Sequence, residues 1–183
     1  MPRHSTLETC CSPSCGIEYA RTAPQKRLDA DWRKARAVEK RELREAKAKL
    51  LTMNALYAVA QRAVNAFVRL RDRFKGCISC DSSRVDDAGH LFPIGSKWRC
   101  HPIRLDPKLI HGQCRKCNSY IGGGNVHGYI AGLIQRYGQD YVDECYAIKN
   151  TAERGEILLL TRDEVAAKAA EFSRLAREQR KAA

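Results

Sequence analysis

Two pairs of cysteines in C-x-x-C spacing constrain the fold of this chain more than any other feature. Cys77 and Cys80 form the first pair, and Cys114 and Cys117 form the second. The 33 residues between the pairs are enough for a hairpin that folds the second pair onto the first. Zinc binds four thiolates in a tetrahedron, and each C-x-x-C turn supplies two of them. The spacing therefore predicts one structural Zn²⁺ site.

The rest of the sequence favours a reducing compartment. No run approaches the roughly 20 apolar residues of a membrane span, and the amino-terminal residues include no apolar signal segment. We therefore expect a cytoplasmic protein with no membrane partner. In that compartment, nine cysteines indicate metal binding rather than disulfides. Cys100 and Cys145 have no C-x-x-C partner and are expected to pack in the core.

The charge of the chain indicates a polyanionic partner. Lys and Arg outnumber Asp and Glu by 33 to 21, which gives a formal net charge of +12. A charge of this sign and size attracts nucleic acid. Eleven basic and five acidic residues lie within 21–50. That segment is either a solvated helix with i,i+4 ion pairs or a cationic arm that lies along a phosphate backbone.

The pattern along the chain predicts an α+β protein in four parts. Residues 1–24 form a partial Cys-rich segment with little helical pattern, in which Cys10, Cys11 and Cys15 are typical of half a zinc ribbon. Residues 25–52 form a basic helical arm, 53–150 the zinc-stapled core, and 151–183 end in a helix.

Within the core, residues 53–74 carry an apolar face at helical spacing. Short strands are expected in "RVDDAGHLF" and "HPIRLD". The glycines at 122–124 should interrupt any helix that begins at Asn118, and further helices are expected over 126–138 and 139–150. Thr161 and Glu164 predict a capping box that begins the last helix.

Three polar residues between and after the cysteine pairs predict hydrolytic chemistry. Hydrolysis of a phosphodiester needs a divalent metal that offsets negative charge and a base that deprotonates water. Mg²⁺ prefers oxygen ligands, so Asp87 and Asn118 are suitable while zinc stays with sulfur. His90 is neutral near pH 7 and can accept a proton. Asn118 directly follows Cys117, so the zinc turn fixes its position.

These motifs carry a family resemblance. The order C-x-x-C, "DAGH", "IHGQCRKCN" resembles the HNH, or ββα-metal, nucleases built on a zinc-bound treble clef. Together with "AVNAFVRLRDR" and "RYGQDYVDE", it is more closely similar to the lambdoid phage recombination protein NinG (Rap) family. The resemblance implies a structure-specific, metal-dependent endodeoxyribonuclease in phage recombination, of the Holliday junction resolvase type, which acts on branched intermediates that include D-loops.

The resemblance also implies residue roles. The quartet Cys77, Cys80, Cys114 and Cys117 corresponds to the zinc ligands. His90 corresponds to the general base, and Asn118 to the trailing ligand of a catalytic Mg²⁺. Asp87 is the expected carboxylate ligand of the same ion.

The sequence departs from the HNH pattern at two positions. Gly89 stands where many HNH enzymes have an acid or a histidine, immediately before the general base. Leu109 stands where they have an asparagine that orients this base. In this chain His111 or a backbone carbonyl would have to orient His90 instead.

Two functions of different classes remain open from the sequence. One is the nuclease, and the other is a non-catalytic zinc-dependent DNA-binding protein in which "DAGH" is only a turn. A resolvase makes two matched cuts, which favours a homodimer, with the apolar faces of 53–74 and 162–180 as candidate interfaces. Phage or host recombination proteins are the other expected partners, in the host bacterial cytoplasm.

Overall fold

The computed structural model describes residues 12–119 and 124–181. The chain divides into two compact units, Met1–Leu50 and Leu51–Ala183. In the described part of the first unit, one helix, α1, runs over Pro13–Leu50. The prediction of little helix before residue 25 is therefore wrong for Pro13 onward. Ser12 caps the helix by accepting a hydrogen bond from Cys15 N at 3.2 Å, and Pro13 has the φ angle of a first helical turn.

Cys15 lies in the first turn of α1 and is partly buried. Cys10 and Cys11, the other two cysteines of the predicted half zinc ribbon, lie outside the described residues. Most side chains of α1 are exposed in this unit, including those of Leu28 and Trp32. The helix therefore has no continuous buried stripe, in agreement with its sequence pattern.

The second unit begins with helix α2, Met53–Asp72. Thr52 caps it by accepting a hydrogen bond from Ala55 N at 3.2 Å. Its apolar face supplies Tyr57, Val64 and Val68 to the core. The helix and the buried side of it at Leu56, Ala60 and Ala63 match the expectation from spacing. The expected extension of this apolar face to Phe74 is wrong, because α2 ends at Asp72 and Phe74 is exposed.

A two-stranded antiparallel sheet follows. Strand β1, Asp87–His90, pairs with β2, Ile110–Gln113. A second strand in "HPIRLD" is wrong, because that stretch contains the 3-10 turn Pro102–Leu105. Pro102 has no N–H for a strand ladder, and the His101 ring accepts a hydrogen bond from Ile103 N at 3.2 Å. β2 begins only after that turn.

Three helices follow the sheet. They are α3, Arg115–Ser119, α4, Val126–Tyr137, and α5, Gln139–Glu153. Gly138 separates the last two in a backbone conformation with φ of 88°, which favours glycine. Part of the predicted interruption at 122–124 lies outside the described residues. Cys145 is fully buried in the core that α4 and α5 share, which confirms its expected packing role.

The last helix, α6, spans Arg162–Lys181. The predicted capping box is confirmed, because Thr161 N donates to Glu164 at 2.7 Å and Glu164 N donates to Thr161 Oγ1 at 3.3 Å. α6 packs on α2, with the Phe67 and Phe172 rings 5.4 Å apart. The two apolar faces proposed for a dimer therefore bury each other within one chain.

The described residues thus form a helix-rich α+β protein with one small sheet, as the sequence predicts at that level. No helix in the described part of the chain is long and apolar enough to cross a lipid bilayer.

Candidate metal centre and the residues around it

The four cysteines of the two C-x-x-C pairs come together in space. The sulfurs of Cys77, Cys80, Cys114 and Cys117 all lie within 4.8 Å of one another, and the Cys80 and Cys114 sulfurs are 3.8 Å apart. A tetrahedron with zinc–sulfur bonds of about 2.3 Å has sulfurs about 3.8 Å apart. The prediction that the two pairs come together is confirmed, and the four sulfurs form a possible metal site that is consistent with structural zinc.

The sheet brings the two pairs together. Gly76 has φ of 72°, and Cys77 N donates to Ser82 O at 2.8 Å, which closes the turn of the first pair. Ile78 N donates to Gly112 O at 2.9 Å, so this turn is attached to β2. The second pair begins directly after β2 and continues into α3.

Burial raises the pKa of two of the four sulfurs, whereas at Cys114 burial is outweighed by hydrogen bonds from Cys117 and the neighbouring cysteines, which lower its pKa. Desolvation raises the pKa of the Cys117 thiol to about 12, even though Asn125 donates to its sulfur. Desolvation also raises the pKa of Cys77. Such thiols stay protonated at neutral pH unless a cation stabilises the thiolates. A zinc ion bound by the four sulfurs would supply that stabilisation, and its binding energy would become folding energy.

Asn125, treated as a loop residue at the sequence level, ties the two cysteine turns together. Its side chain caps α4 by accepting from Gly128 N at 3.1 Å. Its Nδ2 donates to Ser79 O at 3.0 Å and approaches the Cys117 sulfur at 3.7 Å. An asparagine directly before a helix is the sequence signal for this cap.

Arg136 of α4 is a second supporting residue that sequence analysis missed. Its guanidinium donates to the carbonyls of Gly76 at 3.2 Å and Cys77 at 2.7 Å. An arginine on a helix carries no local sequence signal for contacts some 60 residues away, so only the fold shows this role.

Asp87 and Asn118 lie on the same face of β1. Asp87 lies opposite Gln113 in the sheet register, and its carboxylate is 3.6 Å from Arg115 Nη2. Asn118 lies on α3, and its Oδ1 would be 3.0 Å from a Cβ placed on Gly89. The amide therefore lies over β1, on the face that holds Asp87 and Gly89, because alternate strand residues share a face.

His90 belongs to the other face of β1 by the same alternation. Its partner in β2 is Ile110, which packs in the α2 core. Its Nε2 lies 3.1 Å from the carbonyl oxygen of Arg104. A carbonyl only accepts, so Nε2 carries the proton and Nδ1 keeps a free lone pair. Burial and the nearby Arg104 charge lower the His90 pKa, so the ring is neutral at pH 7.

The backbone carbonyl of Arg104, rather than His111, contacts His90. His111 is buried, with Nδ1 3.0 Å from the Tyr129 hydroxyl, and desolvation lowers its pKa to about 3. Leu109, at the position of the HNH asparagine, is a core residue that is 2% exposed. With Gly89 and Leu109 at the two positions that depart from the HNH pattern, the group that holds His90 is the carbonyl of Arg104.

Two arginines line a cavity, and one of them is Arg104, whose backbone carbonyl contacts His90. Arg99 and Arg104 face it together with Ser96 and the first turns of α2. Arg104 Nε donates to Gln61 Oε1 at 3.1 Å, and its Nη1 donates to Arg99 O at 2.8 Å. The arrangement holds the Arg104 guanidinium, and Arg99 remains exposed. Neighbouring guanidinium groups of this kind bind phosphate.

Comparison with known proteins identifies relatives along most of the chain. The family model described as Bacteriophage Lambda NinG protein matches residues 2–181. Protein ninG of Escherichia phage lambda is 34% identical over 143 residues, which cover 73% of this chain and 68% of that protein. Protein ninG of Escherichia phage 933W is 45% identical over 87 residues, which cover 46% of this chain. That match spans only 41% of the 933W protein. No solved structure matches the chain.

Proposed function

Because the chain belongs to the bacteriophage lambda NinG family, we propose that it is a metal-dependent endonuclease that cuts branched DNA recombination intermediates. Holliday junctions and D-loops are the proposed substrates. The observation that carries the proposal is a neutral histidine held by a carbonyl at the end of β1, in a sheet whose other end joins a sulfur quartet that also holds α3.

The order of elements supports a ββα-metal core. Two antiparallel strands are followed directly by α3, which carries Asn118. The four cysteines attach the chain before β1 to the junction of β2 and α3. In this proposal zinc is structural and holds the strands and the helix in a fixed relation.

His90 is the proposed general base. Its Nε2–H donates to the Arg104 carbonyl, which fixes the ring and its tautomer, so Nδ1 is the atom that accepts a proton from water. A pKa lowered by burial keeps the ring unprotonated at neutral pH. Cleavage should therefore be lost only as the pH falls through the lowered His90 pKa.

Asp87 and Asn118 are the proposed holders of Mg²⁺. Carboxylate and amide oxygens are the ligands that this ion prefers. When bound, Mg²⁺ offsets the charge of the scissile phosphate and of the leaving oxygen. β1 pairs only with β2 among the described strands. Asp87 and His90 lie on opposite faces of β1. The proposal therefore places the DNA strand along the edge of β1 that does not pair with β2, where both side chains can reach it.

The basic residues supply the proposed DNA contacts. The chain carries a net charge of +12, and Arg99 and Arg104 line a cavity at the start of α2. Eleven basic residues within 21–50, against five acidic ones, would bind the phosphates of a DNA arm. A second copy of the chain would make the matched cut on the opposite strand.

The direct test is cleavage of a labelled four-way junction by zinc-loaded protein, with and without Mg²⁺. We expect Mg²⁺-dependent nicking, with a linear duplex of the same sequence cut far more slowly. His90→Ala should reduce the rate by roughly 10² to 10⁴ and leave junction binding nearly unchanged. His127→Ala is the matched control, because that histidine is exposed on α4.

Two results would contradict the nuclease. One is junction binding without nicking in wild-type protein, which would leave a non-catalytic zinc-dependent DNA-binding protein. The other is an equal cleavage rate in His90→Ala and His127→Ala.

A further inference from the structure

Two side-chain amide oxygens converge over Gly89 in β1. A Cβ on Gly89 would lie 1.7 Å from Gln113 Oε1 and 3.0 Å from Asn118 Oδ1. Both oxygens are thus within 3.0 Å of one point beside the strand. Only glycine leaves room for them, since any other side chain would occupy that point.

A hydrogen bond fixes the Gln113 amide in this orientation. Its Nε2 donates to Ser79 Oγ at 2.7 Å, in the turn of the first cysteine pair. The side chain is 1% exposed. Within residues 12–119 and 124–181, no N–H or O–H donates to Gln113 Oε1 or to Asn118 Oδ1. A buried amide oxygen without a donor costs free energy unless a positive group reaches it.

A carboxylate belongs to the same face. Asp87 is the cross-strand partner of Gln113, so the two side chains project to the same side of the sheet. Asp87, Gln113 and Asn118 therefore present one carboxylate and two amide oxygens around Gly89. Hard oxygen donors of this kind bind Mg²⁺ or Mn²⁺, which keep water in their remaining positions.

We propose that Gln113 is a ligand of the divalent cation, with Oε1 of Gln113 and Oδ1 of Asn118 on one side of the ion and the Asp87 carboxylate on another. The inference rests on the proposed function for Asp87 and Asn118 and adds Gln113 to their site. Gln113 and Asn118 flank the second cysteine pair directly. One zinc ion thus fixes both amide ligands, while Gly89 gives the cation access to the strand.

Binding of Mn²⁺ alone to the zinc-loaded full chain, without DNA, tests the inference. Free Mn²⁺ is measured by electron paramagnetic resonance during a titration. Gln113→Met keeps the length of the side chain and removes the oxygen, so we expect Mn²⁺ binding to weaken about tenfold or more. Gln113→Glu adds a charged oxygen and should bind Mn²⁺ more tightly. Gln135→Met, on an exposed position of α4, should bind as wild type does.

Gly89→Ala is an independent variant. The atoms nearest the new Cβ belong to the ends of two side chains rather than to the backbone, so the protein should fold while the amide oxygens are displaced and Mn²⁺ binding is lost. Zinc content, measured on every variant, should stay at one ion per chain.

Equal Mn²⁺ affinity in wild type and Gln113→Met would overturn the inference, as would the absence of Mn²⁺ binding by wild type. Failure of the nuclease proposal has a different signature. Wild-type protein would then bind Mn²⁺ through Gln113 and leave the four-way junction uncut.

Discussion

At the scale of single residues, a buried carboxylate connects α2 to the sheet. Asp72 is 1% exposed. It pairs with Arg71 at 2.7 Å and accepts a hydrogen bond from Gly112 N at 2.9 Å. Burial alone would raise the pKa of Asp72, but the Arg71 contacts and the Gly112 N–H hold it below its usual value. This carboxylate therefore stabilises the fold while it is ionised.

We expect Asp72→Asn to lower the free energy of unfolding by about 3 kcal/mol at pH 7, since it leaves Arg71 without its buried partner. A depressed native pKa stabilises the fold above the unfolded value of about 3.9. That stability is lost as the pH falls through the native pKa, so wild type and variant should converge in acid. Denaturant unfolding at pH 7 and in acid measures this. Glu171→Gln, an exposed change on α6, should shift stability by less than about 0.5 kcal/mol. An equal effect of both changes at pH 7 would contradict the account.

The sequence identified the residues whose chemistry is local and missed those whose role depends on the fold. The cysteine quartet follows from spacing, because each C-x-x-C turn sets its own geometry. Gln113 was missed, because its amide reaches Ser79 from 34 residues away. The sequence analysis allowed for a backbone carbonyl that orients His90 but did not identify Arg104, because a backbone group has no sequence signal.

At the scale of elements, close packing of α4 against the first cysteine pair is the feature that supports the metal centre. A Cβ on Gly132 would lie 1.8 Å from Ile78 O, and one on Gly128 would lie 2.2 Å from Ser79 O. The two glycines let the helix touch the backbone of the turn. Helices α2, α4, α5 and α6 were predictable from periodicity and caps, whereas the start of α1 was not. Strand β2 was not predictable either, because its four residues acquire their pairing only from contact with β1.

Gly132→Ala tests that packing, because the two effects of the substitution change the free energy of unfolding in opposite directions. Helix propensity alone predicts that alanine stabilises α4 by up to about 1 kcal/mol. The clash with Ile78 O predicts instead a loss of about 1–3 kcal/mol, because backbone must move. Thermal unfolding with zinc present measures the change. Gly95→Ala, where nothing lies within 4 Å of the new Cβ, is the control. A Gly132→Ala protein more stable than wild type would refute the close contact.

At the scale of the whole molecule, charge governs the proposed encounter with DNA. The excess of 33 basic over 21 acidic residues makes binding strongly dependent on salt. The sequence was sufficient for this expectation, because net charge does not depend on the fold. Which arginines touch phosphate does depend on it.

Arg99→Gln should reduce the slope of log affinity against log salt by about 0.9, the value for one phosphate contact on duplex DNA. Arg177→Gln removes the same charge from an exposed position of α6 and should leave the slope unchanged. Fluorescence anisotropy with a labelled junction, in zinc-loaded protein without Mg²⁺, gives both slopes. Identical slopes for the two variants would exclude the cavity lined by Arg99 and Arg104 as a phosphate contact.

The central claim is that four sulfurs hold one zinc ion and that this ion organises the sheet and α3. Zinc-edge X-ray absorption on the purified 183-residue chain tests it most directly. We predict one zinc per chain with four sulfur neighbours at about 2.3 Å, and loss of bound zinc with a lower melting temperature in Cys114→Ser but not in Cys100→Ser. A spectrum dominated by nitrogen or oxygen neighbours, or a folded Cys114→Ser protein of unchanged stability, would contradict the account.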